Sequence, residues 1–315
     1  MSMSKEEIDN DKETTKSRKV CRSRRQVVQI EPSSIEAYIP PYLRRVIFPY
    51  HGDFCHTQIF HPRLIVQLMA EGFLPIATRG ALLPKLHQER CVIELPHQLH
   101  IQKTVRKKSH KFTFTLNQAF DQVVQGCHEQ HDHCWLYPPL VEAFREIFLN
   151  GKMEAVFGNK SKSRVRLYSV EVWQNETTLV AGELGYTVGS AYTSLTGFTK
   201  VDSAGSVQMA AMGKLLCHAN FDLWDLGMDM DYKRKLGAVL MPRSDFVNHI
   251  HTVREDYKPL AVCHQHVNCK IIIDGGSGVV PPPRFKQKHS QQGKKQKQAL
   301  PVTVNNSERR ATVNC

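Results

Sequence analysis

The sequence predicts an α/β (α+β) fold, and three observations carry that expectation. Helix-spaced apolar residues recur before Gly151, the period switches to alternation from Arg166 onward, and turn signals separate the runs. With 41% apolar residues in 315, the chain can also build a core of ordinary size without metals or disulfides.

The elements follow in order. From His61, HPRLIVQLMAEGF places Leu64, Ile65, Leu68 and Met69 on one helical face and closes on Gly72. A proline-punctuated stretch with the apolar run Cys91 to Leu95 comes next, and Phe112 to Thr115 alternates like a strand end. Asn117 is the expected N-cap of a helix with Ala119, Phe120, Val123, Val124 and Cys127 on its apolar face, ending near Gln130. A second helix is expected from Pro139 to Leu149, burying Leu140, Phe144, Ile147 and Phe148. Tyr168, Val170 and Val172 mark one strand and Thr178 to Val188 its antiparallel partner, joined at Gln174-Asn175-Glu176. Ser190 to Thr199 makes a third extended segment. Ser203 to His218 reads as a helix, Phe221 to Asp225 as a strand, and Ser244 as the cap of a short helix reaching His251.

The formal charge is +12, but residues 1–30 carry +3 of it and residues 281–315 carry +7, leaving +2 for the body. Both ends are polar and low in complexity, so residues 1–34 and 275–315 are expected to be disordered tails. No stretch approaches the roughly 18 apolar residues of a membrane span, and the opening MSMSKEEIDNDKETTKSRK lacks an apolar signal core. Nine cysteines, an odd number, read as reduced thiols, so a cytoplasmic location with no membrane partner is expected. The sequence is silent on oligomeric state.

The wording of the body is informative. RLYSVEVW, LVAGELGYTVGSAY, SAGSVQMAAMGKLL, DLWDLGMDMD and KRKLGAVLMPRSDF succeed one another from Arg166 to Phe246. Upstream stand HGDFCHTQIFHPRLIVQLMAEGFLPIA and FTFTLNQAFDQVVQGC, then Cys134-Trp135-Leu136. In this order and spacing the chain, from about Tyr42 to Ile250, resembles a divergent member of the leucyl/phenylalanyl-tRNA–protein transferase family. The resemblance implies a small N-terminal α/β domain, residues 35–100, followed by an acetyltransferase-like (GNAT-like) domain, residues 101–274. It implies transfer of an amino acid, leucine or phenylalanine in the family, from aminoacyl-tRNA to the N-terminus of an acceptor protein, marking it for degradation.

Such a reaction needs an uncharged α-amine to attack an activated ester, and it needs no cofactor. A free α-amino group has a pKa of about 7.7 to 8.0, so a carboxylate that orients and helps deprotonate it is useful, and positioning both substrates contributes more. Asp225, closing an apolar strand, matches the family's catalytic aspartate and is expected to project into a cleft. The family's catalytic glutamate is Leu195 here and its glutamine is Gly227. Glu183, Asp229 and Asp231 are the carboxylates that can compensate. The family's Gly-Gly-Met-Tyr-Gly run is Ala181-Gly182-Glu183-Leu184-Gly185, so amino-acid preference does not carry over.

Lys103, Arg106, Lys107, Lys108 and Lys111 form a basic cluster where the family is also basic, and Lys160, Lys162, Arg164 and Arg166 form another; either suits the phosphates of a tRNA acceptor stem or a solvated loop. Trp135 matches the family's tryptophan, an aromatic platform for the terminal adenine or a core residue. Cys127 to Cys134 and Cys263 to Cys269 are rich in Cys and His but lack Cys-x-x-Cys spacing, so no metal is expected. Lys200 to Gly205 carries no phosphate-cradling glycine loop, which argues against coenzyme A. Three readings therefore stand: an aminoacyltransferase centred on Asp225, a degenerate member that binds tRNA or N-terminal peptides without catalysis, or, last, an acyltransferase with another donor.

Overall fold

The computed structural model describes residues 28–29, 52–131, 135–157, 161–260 and 265–275. Its centre is a nine-stranded sheet. Strands β1 (Val28–Gln29) and β2 (Cys55–His56) form a small parallel pair, inside and beyond the segment expected as an N-terminal tail. Helix α1 (Pro62–Ala70) has Pro62 in its first turn, takes its cap from the His61 ring accepting the Arg63 N–H at 3.2 Å, and gives way to Gly72 at φ +89°. A hairpin of β3 (Leu74–Thr78) and β4 (Ala81–Lys85) follows, with Pro75 opposite Pro84.

Strand β5 (Glu89–Glu94) belongs to the large sheet, although it lies in the stretch assigned to a separate N-terminal domain. The basic segment is helical: α2 (Lys103–Lys108) and one 3₁₀ turn (Ser109–Lys111) lead into β6 (Thr113–Leu116). Helix α3 (Phe120–Gln130) starts differently from expectation. Asn117 sits at φ +62° and its side-chain oxygen accepts the Ser169 N–H at 3.0 Å, while the buried Glu171 carboxylate takes the N–H groups of Gln118 and Ala119. The start of the helix is thus fixed by a strand residue rather than by a local cap. Helix α4 (Pro138–Asn150) ends at Gly151 in the left-handed region.

Strands β7 (Met153–Phe157), β8 (Ser161–Gln174), β9 (Thr178–Val188) and β10 (Ala191–Thr199) run antiparallel, and positive φ at Asn175 and Glu176 turns the β8–β9 hairpin. Then come α5 (Ala204–His218), β11 (Leu223–Gly227), α6 (Asp231–Lys235), β12 (Val239–Pro242), α7 (Arg243–Val253), β13 (Val267–Asn268) and α8 (Cys269–Asp274). Ser244 does not cap α7; its hydroxyl turns to Asp245 at 3.1 Å and Pro242 holds the cap position.

The strand order is β12-β5-β11-β10-β9-β8-β6-β13, with β7 also on β8. Every described pairing in it is antiparallel except β10 with β11. Two cores flank the sheet, as period-two alternation requires. Val165, Leu167, Leu184 and Tyr186 pack with α1, α3, α4 and α7 on one face. Tyr168, Val170, Val172 and Trp224 pack with α5 and α8 on the other. Among the described residues no helix is long and apolar enough to cross a membrane.

Candidate active site

The parallel pair creates the site. Strands β10 and β11 are in register from Ala191 opposite Leu223 to Thr193 opposite Asp225, and there the pairing stops. Each strand then bulges, β10 between Ser194 and Thr196 and β11 between Asp225 and Gly227, as they follow different neighbours, β9 and β5. Between the diverging backbones lies a cleft of about 390 Å³, walled by Ser194, Leu195 and Gly197 on one side and Leu226, Gly227 and Met228 on the other. Trp135, His131, Tyr232 and Lys233 also line it. A second cavity, about 380 Å³, adjoins through His131, Gly197, Met230 and Tyr232 and reaches Glu183 and Gln208.

Asp225 lies inside β11, not at its end, and is fully buried. Gly227, at φ +74°, is the last residue of β11 and donates its N–H to Asp225 Oδ1 at 2.9 Å; the Thr193 hydroxyl donates to Oδ2 at 3.1 Å. Arg90, also buried, brings Nε to 3.4 Å from Oδ1. The same guanidinium donates to the Gly72 carbonyl, meets His87 Nδ1 at 3.0 Å and stacks 4.4 Å from the centre of the Phe246 ring. Burial raises the Asp225 pKa, and Arg90, the Gly227 N–H and Thr193 oppose the rise. The expected projection of Asp225 into open cleft is therefore not found: its carboxylate is a buried anchor behind the cleft wall that Gly227 forms.

The other carboxylates separate from it. Glu183 stands on β9, with β10 between it and β11, and accepts from Tyr192 at 2.8 Å, Ser194 at 2.8 Å and Gln208 at 2.9 Å. Tyr192 belongs to the core on the α5 face, whereas Phe246, beside Arg90, belongs to the other, so Glu183 and Asp225 face opposite sides of the sheet. Burial raises the Glu183 pKa as well. Asp229 is engaged by Arg234 and Asp231 is exposed in the first turn of α6; neither lines the cleft. Leu195, at the β10 bulge, lines the cleft and packs partly on the core.

Trp135 lines the cleft and packs edge-on to Phe144, with centroids 6.5 Å apart. Lys103, Lys107, Lys108 and Lys111 are exposed, while Arg106 is half-buried and ion-paired with Asp274 at 2.6 Å. Lys108 reaches Ser203 at 2.9 Å, at the start of α5. Of the second basic cluster, Lys162 pairs with Glu154 at 3.0 Å, Arg164 stacks on Tyr257 and Arg166 on Tyr168, and Lys160 lies outside the described residues. Among the described residues no group of His, Cys, Asp or Glu is placed to hold a metal ion; Cys134, Cys263 and His264 lie outside them.

Sequence reasoning missed Arg90, His87, Thr193 and Lys233. Arg90 was legible only as a charge beside an apolar run. Lys233 was hidden in Lys233-Arg234-Lys235, which reads as a solvated basic stretch, yet it is 9% exposed.

A model of the family described as Leucyl/phenylalanyl-tRNA protein transferase matches residues 92–251, from β5 into α7. The leucyl/phenylalanyl-tRNA–protein transferase of Pectobacterium carotovorum subsp. carotovorum (strain PC1) is 31% identical over 158 residues, 49% of this chain and 61% of that protein. Those of Psychrobacter arcticus and Desulforapulum autotrophicum are 24% and 25% identical, covering 64% and 66% of this chain and 76% and 89% of their own lengths.

Proposed function

The chain belongs to the leucyl/phenylalanyl-tRNA protein transferase family, and from that premise we propose that it moves an amino acid from aminoacyl-tRNA to the N-terminal α-amine of an acceptor protein. The observation that carries the reading is the cleft where β10 and β11 part, since it brings Trp135, Leu195, Gly227 and the buried Asp225 to one place. A parallel pair that splays inside a largely antiparallel sheet also supports a GNAT-like architecture for the transferase layer, with aminoacyl ester in the splay. Coenzyme A has no part in it.

In this reading the 3′-terminal adenosine stacks on Trp135 and the aminoacyl group enters the cleft between the two bulges. Exposed Lys103, Lys107, Lys108 and Lys111 contact acceptor-stem phosphates. Asp225 is a positioning residue: by accepting the Gly227 N–H it fixes the backbone of the cleft wall. Holding ester and amine together is the main catalytic contribution. The product is an acceptor protein lengthened by one residue, a degradation mark in the family, and a cytoplasmic setting suits both substrates.

The burial of Asp225 together with Leu195 and Gly227 at the other two positions favours a second reading, a binding protein without transfer. The deciding experiment incubates the chain with radiolabelled aminoacyl-tRNAs, leucyl and phenylalanyl among them, and peptides beginning with Arg, Lys, Asp or Leu. Label entering peptide, and abolished by Asp225→Ala, supports the transferase. Tight tRNA binding with no transfer of any amino acid supports the binding protein.

A further inference from the structure

Four of the described residues lining the cleft have side chains able to carry positive charge: Lys85, His87, His131 and Lys233. Lys85 stands 5.0 Å over the Phe54 ring. His87 is neutral, pushed down to about 3 by burial and by Arg90. His131 places Nε2 3.0 Å from the Gly197 carbonyl oxygen. Lys233, whose Nζ also stands 5.6 Å from the centre of the Tyr232 ring, differs from all three in its backbone contacts. It reaches back from α6 and donates from Nζ to the Leu226 carbonyl at 2.6 Å and the Met228 carbonyl at 2.8 Å, bracketing Gly227. An ammonium has three N–H donors, so two fix its position and one is left over. The group is therefore held by the cleft's own backbone at the point where the strands part.

We propose that Lys233 is a catalytic residue of this site, giving its third N–H to the carbonyl oxygen of the aminoacyl ester as that oxygen becomes an oxyanion. This rests on the aminoacyl-transfer reading. The acceptor α-amine, already neutral, forms a bond from nitrogen to the ester carbon, and the carbonyl π pair moves onto oxygen, where the Lys233 N–H meets it. The oxyanion then collapses, the bond to the tRNA ribose oxygen breaks, and the proton shed by the attacking nitrogen ends on that ribose oxygen. A preorganised donor at the position of developing charge stabilises this intermediate without reorganisation. Leu195 and Gly227 themselves offer no side-chain donor for that oxygen, and Ser194 in the same wall gives its hydroxyl to Glu183. Burial lowers the Lys233 pKa, and Cys91 of β5, Asp225, Glu183 and Asp229 oppose the fall.

The test is single-turnover transfer to peptide by the full chain and by Lys233→Met and Lys233→Arg, from pH 6 to 10, with aminoacyl-tRNA affinity and thermal melting measured alongside. Lys233→Met is expected to lose roughly 10²- to 10³-fold in transfer rate, with tRNA affinity kept within about threefold of wild type. The wild-type rate, corrected for spontaneous ester hydrolysis, should fall at alkaline pH as Lys233 deprotonates, and Lys233→Arg should move that fall to higher pH because guanidinium stays charged. Lys233→Met transferring at close to the wild-type rate overturns this inference alone. So does an alkaline fall unmoved in Lys233→Arg, which decides the matter even where Lys233→Met does not fold. No transfer by the wild-type chain overturns the aminoacyl-transfer reading and this inference together.

Discussion

The Arg90–Asp225 pair makes the most exacting prediction. Two unit charges 3.4 Å apart attract by about 5 kcal/mol at an effective dielectric constant of about 20. Because both groups are buried, most of that attraction offsets their desolvation, and the pair as a whole contributes little net stability. Removing one partner is another matter. Arg90→Met leaves a buried carboxylate with the Gly227 N–H and the Thr193 hydroxyl as its hydrogen-bond donors, and should destabilise the fold by about 3–5 kcal/mol. Loss of the guanidinium's donation to the Gly72 carbonyl and its stack on Phe246 keeps the value at the upper end of that range. Asp225→Asn retains an oxygen for the Gly227 N–H and removes the charge, so adding it to Arg90→Met should recover about 2 kcal/mol or more. The assay is urea unfolding of wild type, both single variants and the double, followed by far-UV circular dichroism and tryptophan fluorescence, with coincident transitions required before the cycle is closed. A coupling energy below about 1 kcal/mol would show that Asp225 is not held by Arg90 and that its burial has another cause.

Three further outcomes follow from the same structure. Gly189→Ala should cost roughly 2–3 kcal/mol in urea unfolding, because φ is +59° there and an added Cβ would meet the Val253 carbonyl oxygen at 2.0 Å. Burial raises the Glu183 pKa, so the native state holds that proton to higher pH than the unfolded chain does. The contribution of Glu183 is then fully present below the ordinary glutamate pKa and declines as pH rises through the raised one. The stability difference between wild type and Glu183→Gln should accordingly shift against wild type as pH rises from about 4.5 toward the raised pKa, and a flat difference would refute the assignment. Replacing Lys103, Lys107 and Lys111, all exposed, by alanine should weaken tRNA binding and lower the slope of log affinity against log salt by about 1 for each phosphate no longer neutralised. An unchanged slope, measured by filter binding between 50 and 300 mM salt, would place the acceptor stem elsewhere.

Local periodicity made the helices and the long antiparallel strands legible, because 3.6 and 2 are properties of neighbouring residues. It misplaced Asp225 for a non-local reason. Phe221 and Asp222, read as the start of the strand, instead close the preceding turn, with the Phe221 N–H on the Leu216 carbonyl and the Ser190 hydroxyl on Asp222. Strand β11 slides two residues on, and Asp225 becomes interior. The strand that covers it, β5, comes from a segment whose alternation is masked because it is buried on both faces. The β3–β4 hairpin escaped notice because Pro75 and Pro84 speak against strand at each position singly, and only their cross-strand pairing reconciles them. Buried charge nonetheless leaves a trace in the pattern. Arg90, Glu171, Glu183 and Asp225 each stand in or beside an apolar extended run, where an ionised side chain is tolerated only with partners. Every one of them finds those partners on another element: Asp225 for Arg90, the start of α3 for Glu171, Gln208 and Tyr192 for Glu183. A charge inside a strand pattern is thus the sequence's statement that a specific long-range contact exists. The identity of the partner is set by strand order, which periodicity does not encode, and here that order separates Glu183 from Asp225 by β10, with Lys233 at the gap between β10 and β11.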